Sequence, residues 1–267
     1  MERSMKKKSL SKAITVVIEL ICVLVFFYAA SQLFFIYQDY HRASTEYESL
    51  SEEMVIVQKE TFESTASAEP SAEEEAYEIP KYYVDLEALK QINEDTIGWI
   101  ILPDTKINYP ILSSKDNEEY LTTTFEGQES SSGAIFVDML CERDFSSQNT
   151  IIYGHNMKNG SMFRALNHLT EKEYFETHRI FCIDAGTGFE EYEVISCYAT
   201  DASDTSSWQI SFESQESYAV WLQERAKRCE YDCVPYHIEK NTITLSTCRG
   251  KANGTGRFVV YLQKRES

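Results

Sequence analysis

The sequence predicts a mainly β fold, a closed or nearly closed barrel of about eight strands with a few helices outside it, preceded by one transmembrane helix. Short β-branched and apolar runs recur through residues 97–263, and turn-forming residues separate them. A long apolar segment stands alone near the amino terminus, and an acidic stretch of low hydrophobicity follows it. These three observations divide the chain into an anchor, a stalk and one folded domain.

The apolar segment covers residues 13–37, and about 20 apolar residues are enough for a helix to span a bilayer. The preceding residues 1–12 are basic, which predicts a cytoplasmic amino terminus and an outward-facing remainder. A signal peptide cleaved near Ala29 and Ala30 is the alternative. Because the apolar run continues to Tyr37, an uncleaved single-pass anchor in the cell membrane is favoured. Membrane lipid is then an expected partner of this segment.

Residues 38–80 are expected to form an acidic stalk. From residue 39 onward they hold twelve acidic and two basic residues, and such a segment does not bury enough apolar surface to offset the entropy of ordering. The part from Tyr40 to Lys59 is expected to extend the membrane helix, and the folded domain is expected at residues 81–267. The net charge of −18 argues against nucleic acid as a partner, because phosphates need a basic patch.

Within the domain, alternation and turn signals predict each element in order. Leu86, Leu89 and Ile92 share one face of a short helix, and Gly186 and Gly188 mark a hairpin. Strands are predicted at residues 97–102, 107–112, 134–137, 150–153, 180–184, 192–198, 242–248 and 257–263, and helices at residues 84–93, 162–177 and 216–229.

Two predicted strands place a thiol near a guanidinium. One strand ends on Cys248 and the next begins with Arg257, so an antiparallel pair would make these residues face each other. A fixed positive charge favours the thiolate, which is the nucleophilic form, whereas burial opposes it. Either the thiolate and a cation form a stable ion pair, or only a small fraction of the molecules holds this charged pair. In the second case that fraction alone would react.

His155 is the candidate acid and base, because it follows a predicted strand and Gly154, on a loop where a rigid scaffold can present it. No role is expected for the other four histidines, His41, His168, His178 and His237.

A packing role is predicted for most of the remaining cysteines. Cys141, Cys182, Cys197 and Cys229 lie in or beside apolar segments and are expected to be small buried residues. Cys229 and Cys233 have no second pair at zinc spacing, so neither a metal site nor a cofactor is expected.

Residues 153–157 (Tyr-Gly-His-Asn-Met), residues 244–248 (Thr-Leu-Ser-Thr-Cys) and the strand-leading Arg257 resemble the sortase family in order and spacing, most closely class B. Further matching motifs lie at residues 97–100, 108–111 and 133–138, and the resemblance covers roughly residues 81–267. It implies an eight-stranded barrel and a cysteine transpeptidase without a cofactor.

The resemblance also implies roles. Cys248 would cleave the sorting signal of an exported protein after a threonine and hold the acyl fragment as a thioester. His155 would protonate the departing amine. Arg257, which cannot act as a base, would steady the oxyanion or hold substrate carbonyls. The acceptor would be an amine of peptidoglycan or of its lipid-linked precursor. Class B members commonly read an Asn-Pro-x-Thr signal, and residues 201–236 would set that choice.

Three further residues are weaker candidates for oxyanion binding or substrate positioning. Arg249 stands where class B relatives often carry an acidic residue, and its backbone N–H is a candidate oxyanion donor. Asn156 is a candidate for orienting His155, and Thr247 for positioning substrate. Two other functions stay open at this point: a thiol hydrolase that uses the same side chains, and a non-enzymatic anchored binding module with structural cysteines.

Overall fold

The computed structural model describes residues 2–58, 81–229, 231, 233–250 and 254–266, with side chains from residue 15 to residue 56 in the first range. The expected stalk residues 59–80 lie outside the described residues. The chain divides into two compact units, Met1–Arg42 and Ala43–Ser267.

The first unit contains most of helix α1 (Glu2–Met54). Its apolar side chains from Val16 to Tyr37 are exposed, and by length and composition α1 can cross a membrane. This long apolar helix is therefore a candidate membrane anchor, at the position where the sequence predicts one.

The second unit begins at Ala43, whereas the sequence predicts that the folded domain begins at residue 81. Ala43, Tyr47 and Leu50 are buried, and their spacing of four and three residues puts them on one face of α1. The Tyr47 hydroxyl donates to the carbonyl oxygen of Gly133 at 2.8 Å and accepts from the N–H of Phe125 at 3.1 Å. The helical extension was expected, but its packing against the domain was not.

The domain core is a closed eight-stranded barrel, as predicted. In barrel order the strands are β10, β8, β7, β3, β4, β5, β6 and β9, and the pairs β4–β5 and β6–β9 are parallel. Their bounds are β3 Thr96–Ile101, β4 Asn108–Ser113, β5 Ile135–Val137, β6 Asn149–Tyr153, β7 Ile180–Asp184, β8 Phe189–Asp201, β9 Thr242–Cys248 and β10 Gly256–Lys264. A separate antiparallel pair joins β1 (Val55–Gln58) to β2 (Lys81–Val84).

The helices lie outside the barrel: α2 Leu86–Ile92, α3 Glu119–Thr122, α4 Lys172–Thr177 and α5 Gln215–Ala226, with 3₁₀ segments at Phe163–Thr170 and Thr205–Trp208. The single helix predicted at residues 162–177 is divided at Glu171, which has extended backbone angles. The predicted apolar face of α2 is also wrong in part. Leu89 is buried, but Ile92, the last residue of the helix, is exposed.

Helix α5, predicted at residues 216–229, packs its aromatic face on the barrel. Tyr218 and Trp221 are buried against Ile195 in β8 and against Val259 and Tyr261 in β10. Ser214 caps the amino end of α5 with both bonds of a capping box. This packing covers one side of the sheet and leaves the strand ends at the barrel mouth available for a site.

Candidate active site

The site is built on the hairpin of β9 and β10. These strands are antiparallel, and their register pairs Cys248 with Arg257, which confirms the predicted juxtaposition. The first six residues of β9 are buried, whereas Cys248 at its end is exposed. An exposed thiol avoids most of the desolvation cost that burial imposes on a thiolate.

Arg257 is held by the loop that precedes it. Its guanidinium donates from Nη1 to the carbonyl oxygens of Gly254 at 3.1 Å and Gly256 at 3.0 Å. The side chain is half-buried at the cavity wall. These bonds use one nitrogen of the guanidinium, which has further N–H groups that can donate to an anion or a carbonyl oxygen.

His155 reaches the same edge because β6 is parallel to β9. Their register pairs Tyr153 with Ser246, each two residues before His155 and Cys248, and both of these side chains line the same cavity. Gly154 lies between, and a Cβ there would come within 2.5 Å of Ile135 Cδ1 and 2.7 Å of the Phe163 ring. The histidine loop therefore turns where only glycine fits.

The His155 ring is fixed through one nitrogen. Its Nε2 lies 2.8 Å from the carbonyl oxygen of Leu121. Since a carbonyl oxygen accepts and cannot donate, Nε2 carries the hydrogen in this contact. The other nitrogen, Nδ1, is then the one left for proton exchange.

Asn156 joins the two strand ends, in a different way from that expected. Its Nδ2 donates to the backbone carbonyl oxygen of Cys248 at 2.8 Å, and its Oδ1 accepts from Arg164 Nη1 at 3.1 Å. The side chain thus holds the cysteine strand, whereas the sequence suggested that it orients His155. Arg164 was not predicted and acts on Asn156 from the 3₁₀ segment.

The candidate active site opens into a cavity of about 310 Å³. Its apolar wall includes Leu121, Phe136 and Trp208, and its polar wall includes Asn117 and Tyr153. The cavity also contacts His155, Thr247, Cys248 and Arg257. Of the region expected to set specificity, Ala202 and Trp208 reach the cavity, but α5 does not.

Hydrogen bonds to Asp138 fix the two polar side chains of the cavity wall. The Tyr153 hydroxyl donates to Asp138 Oδ2 at 2.8 Å, and Asn117 Nδ2 donates to the same oxygen at 2.9 Å. Burial raises the pKa of Tyr153 well above its usual range, and the Asp138 carboxylate raises it further. Tyr153 therefore remains a protonated hydrogen-bond donor at all working pH values.

The backbone N–H of Arg249, the candidate oxyanion donor, is used within the hairpin. It donates to the carbonyl oxygen of Gly256 at 2.9 Å and closes the hairpin, so it is not available to an oxyanion. The Arg249 guanidinium lies 5.4 Å from the centre of the Phe258 ring. Thr247 does line the cavity, but it is buried, and its Oγ1 has no hydrogen-bond partner in the described part of the chain.

Among the residues with described side chains, no cluster of three or more histidine, cysteine, aspartate or glutamate side chains is placed to hold a metal ion.

The comparisons with known proteins agree with this geometry. The family model described as the Sortase domain matches residues 100–265. Sortase B of Listeria monocytogenes is 35% identical over 178 residues, which are 66% of this chain and 72% of that protein. A Staphylococcus aureus sortase B–substrate complex has a TM-score of 0.63 and 33% identity, and covers 68% of this chain and 84% of its own. Sortase B from B. anthracis in complex with AAEK1 has a TM-score of 0.70 and 28% identity, with coverages of 87% and 100%.

Proposed function

The chain belongs to the sortase family of cysteine transpeptidases, and we propose that it cleaves a C-terminal sorting signal after threonine and transfers the protein to a peptidoglycan amine. The observation that carries the proposal is the register of Cys248 with Arg257 beside His155 at one cavity. Such an arrangement has a nucleophile, a proton carrier and a fixed positive charge, which are the parts that acyl transfer needs.

In the first step, the Cys248 thiolate attacks the carbonyl carbon of the signal threonine. The carbonyl oxygen becomes an oxyanion, and the guanidinium of Arg257 stabilises it across the hairpin. Because the N–H of Arg249 donates to Gly256, we assign this role to Arg257.

The peptide C–N bond then breaks, and the departing amine takes a proton from His155. With Nε2 bonded to Leu121, Nδ1 is the proton-carrying atom. In the second half of the reaction the acceptor amine attacks the thioester, gives a proton to Nδ1, and releases Cys248 as a thiolate.

Asn156 is a positioning residue in this mechanism. By bonding the Cys248 carbonyl oxygen, it keeps the cysteine strand at a constant distance from the histidine loop. Thr247 forms the cavity wall next to the nucleophile. Fixed geometry of this kind lowers the barrier because the reacting groups need no reorganisation.

The cavity suits a short extended peptide with mixed polarity. Asn117 and Tyr153 offer amide and hydroxyl groups, and Leu121 and Trp208 offer an apolar surface. These walls suit a signal of the Asn-Pro-x-Thr type or a close variant.

The candidate membrane anchor fits a surface reaction. We place the amino terminus in the cytoplasm and Ala43–Ser267 outside, so that the exported protein and the acceptor amine are held at the same surface as the enzyme. Tethering of this kind raises the effective concentration of both substrates.

A second function has one observation in its favour. Cys248 is exposed, so water as well as an amine can reach the thioester. A thiol hydrolase would use the same residues and differ only in the acceptor.

The test uses the full chain in detergent micelles with a panel of threonine-containing signal peptides, followed by mass spectrometry of the intact protein. We expect an acyl adduct on Cys248, absent from Cys248→Ala and retained in Cys141→Ala, the matched control. If no peptide gives an adduct and Cys248 also resists a thiol alkylator, the enzyme proposal is wrong.

A further inference from the structure

Tyr47, near the end of α1, contacts two parts of the domain that hold His155. Its side chain is 5% exposed and lines a cavity of about 170 Å³, whose lining residues differ from those of the catalytic cavity. The hydroxyl donates to the carbonyl oxygen of Gly133 at 2.8 Å and accepts from the N–H of Phe125 at 3.1 Å. Both partners are backbone groups, so the tyrosine fixes the course of the main chain between them.

The first of these parts presents the hydrogen-bond partner of the His155 ring. Gly133 has a positive φ of 56°, and a Cβ there would lie 2.4 Å from the carbonyl oxygen of Tyr120 and 2.8 Å from that of Leu121. The N–H of Ala134 donates to the Tyr120 carbonyl oxygen at 2.9 Å. The backbone at Gly133 therefore lies directly against the Leu121 carbonyl oxygen, which accepts from His155 Nε2 at 2.8 Å. Moving Gly133 would move this acceptor.

The second part is the backbone of the histidine loop. The Tyr47 ring packs edge to face against the Tyr109 ring, with ring centres 5.2 Å apart. The Tyr109 hydroxyl accepts from the N–H of Met162 at 3.0 Å. The next residue, Phe163, donates its N–H to the carbonyl oxygen of His155 at 2.9 Å. These contacts lead from Tyr47 to the His155 backbone, independently of the contact with the histidine ring.

The Tyr47 hydroxyl keeps its donor hydrogen at working pH. Burial raises the pKa of Tyr47 well above its usual range, and the nearby Glu46 carboxylate raises it further. Glu46 itself accepts from the N–H of Glu126 at 2.9 Å, so two neighbouring side chains of α1 hold the same stretch of main chain. Removing the hydroxyl would leave the Gly133 carbonyl oxygen and the Phe125 N–H without this buried partner, and the main chain would shift in response.

We propose that Tyr47 is a positioning residue for His155. The hydroxyl places the Leu121 carbonyl oxygen that holds Nε2, and the ring supports the loop that carries the histidine backbone. His155 is thereby held with Nδ1 as the atom that exchanges protons with the leaving and incoming amines. The inference rests on the proposed transpeptidase function, in which this exchange occurs, and it adds a residue of α1 to the groups on which the reaction depends.

The first measurement is the activity of the full chain in detergent micelles, with a signal peptide that forms an acyl adduct with the wild-type protein. Tyr47→Phe removes the hydroxyl and keeps the ring. A misplacement of 1 Å can cost about 100-fold in rate, so the smaller shift expected here should lower kcat by about tenfold and change KM by less than about twofold. Tyr47→Leu also removes the ring contact with Tyr109 and should lower kcat further.

Tyr218→Phe is the matched control. Tyr218 is buried on the α5 side of the barrel, and its hydroxyl donates to the carbonyl oxygen of Lys240 at 2.8 Å and contacts Thr242 Oγ1 at 2.6 Å. Like Tyr47→Phe, this variant deletes one buried hydroxyl that makes two hydrogen bonds, so thermal unfolding should show a similar loss of stability. Its kcat and KM should equal those of the wild type.

A second measurement observes the His155 ring directly by ¹⁵N NMR. The full chain is labelled at its histidines and carries Cys248→Ala, so that a thiolate does not perturb the ring, and the His155 signals are assigned by their loss in His155→Ala. At about pH 8, above the ordinary histidine pKa of about 6.5, the ring should carry its hydrogen on Nε2. Adding Tyr47→Phe should raise the share of the Nδ1–H form, whereas adding Tyr218→Phe should leave it unchanged.

The proposal is wrong if Tyr47→Phe retains both the kcat and the ring tautomer of its parent, if only KM rises, or if Tyr218→Phe loses kcat to the same extent. The last result would make the effect one of general stability. If no signal peptide forms an adduct with the wild-type protein, the transpeptidase proposal fails, and the tautomer comparison still decides whether Tyr47 positions the His155 ring.

Discussion

The barrel mouth and the side covered by α5 use the same strands for opposite purposes. At the mouth, Cys248 is exposed and His155 is half-buried, and one side-chain hydrogen bond reaches each of them, from Asn156 to the Cys248 carbonyl oxygen and from His155 to that of Leu121. Beneath α5, Trp221 and Tyr261 are almost fully buried and pack edge to face with ring centres 5.5 Å apart. The strand ends therefore hold the candidate catalytic residues, and the strand centres stabilise the fold. Substitutions at the mouth should lower activity, and substitutions beneath α5 should lower the free energy of unfolding.

The largest effect is expected at the mouth. Cys248→Ala removes the nucleophile, so kcat/KM for peptide cleavage should fall by at least about 10⁴-fold. The thiol is exposed, so the free energy of unfolding should change by less than about 0.5 kcal/mol. Peptide cleavage and thermal unfolding of the same preparation measure both, with Cys141→Ala expected to stay active. A large loss of stability would show that Cys248 also supports the fold.

The converse is expected beneath α5. Trp221 is buried, and its Nε1 donates to the carbonyl oxygen of Ser206 at 2.7 Å. Trp221→Ala should lower the free energy of unfolding by about 3–5 kcal/mol, and Trp221→Phe by less, because it keeps a ring in the cluster. Denaturant titration gives both values. Unchanged stability in Trp221→Ala would show that the cluster beneath α5 does not stabilise the fold, contrary to the contrast drawn with the barrel mouth.

Gly154→Ala tests how the scaffold places the histidine. The added Cβ would press on Ile135 and Phe163, so the loop must shift and move His155. A displacement near 1 Å should lower kcat by about 100-fold. Combining it with Ile135→Val removes the nearest atom, Cδ1, and should restore part of the rate. If Gly154→Ala retains full activity, the loop does not depend on this close contact.

Asn156→Ala should have a smaller effect, because it removes one hydrogen bond to the Cys248 carbonyl oxygen. A bond of this kind contributes about 1 kcal/mol, so kcat should fall about fivefold with KM little changed. Steady-state kinetics separates the two constants. Asn156→Asp cannot donate to a carbonyl and should resemble alanine. A change confined to KM would instead assign Asn156 to substrate binding.

The smallest effect concerns pH. Burial opposes ionisation of Asp204, but its hydrogen bonds with Arg228, Ser206 and Thr200 hold the pKa of this carboxyl well below its usual range. A lowered folded-state pKa stabilises the fold above the unfolded-state value of about 3.9, and this contribution is lost as pH falls further. Asp204→Asn should therefore lower Tm near pH 7 and reduce its fall towards about pH 3. Equal pH profiles for the two proteins would contradict this role.

The hairpin half of the site could be predicted because it is local. Cys248 and Arg257 lie on consecutive strands, and pairing across a short loop follows from the sequence. In the same hairpin the Arg249 N–H donates to the carbonyl oxygen of Gly256, and the sequence analysis did not predict this hydrogen bond.

The other half depends on distant parts of the chain. The parallel pairing of β6 with β9 brings His155 to Cys248, and no local pattern encodes it, so the family resemblance supplied that link. Asn117, Leu121 and Trp208 come from short or irregular segments where periodicity carries no signal. The packing of α1 against the domain was not predicted. Its three buried apolar residues, Ala43, Tyr47 and Leu50, lie in a segment whose acidic composition predicts a stalk.

The most direct test of the central claim is to analyse the products of one signal peptide while the concentration of an added diamine is raised. Transpeptidation predicts that the amine-ligated product increases at the expense of the hydrolysed acid, and that Cys248→Ala forms neither. Cleavage that yields only the acid at every amine concentration would contradict the transfer reaction and assign the same residues to a hydrolase.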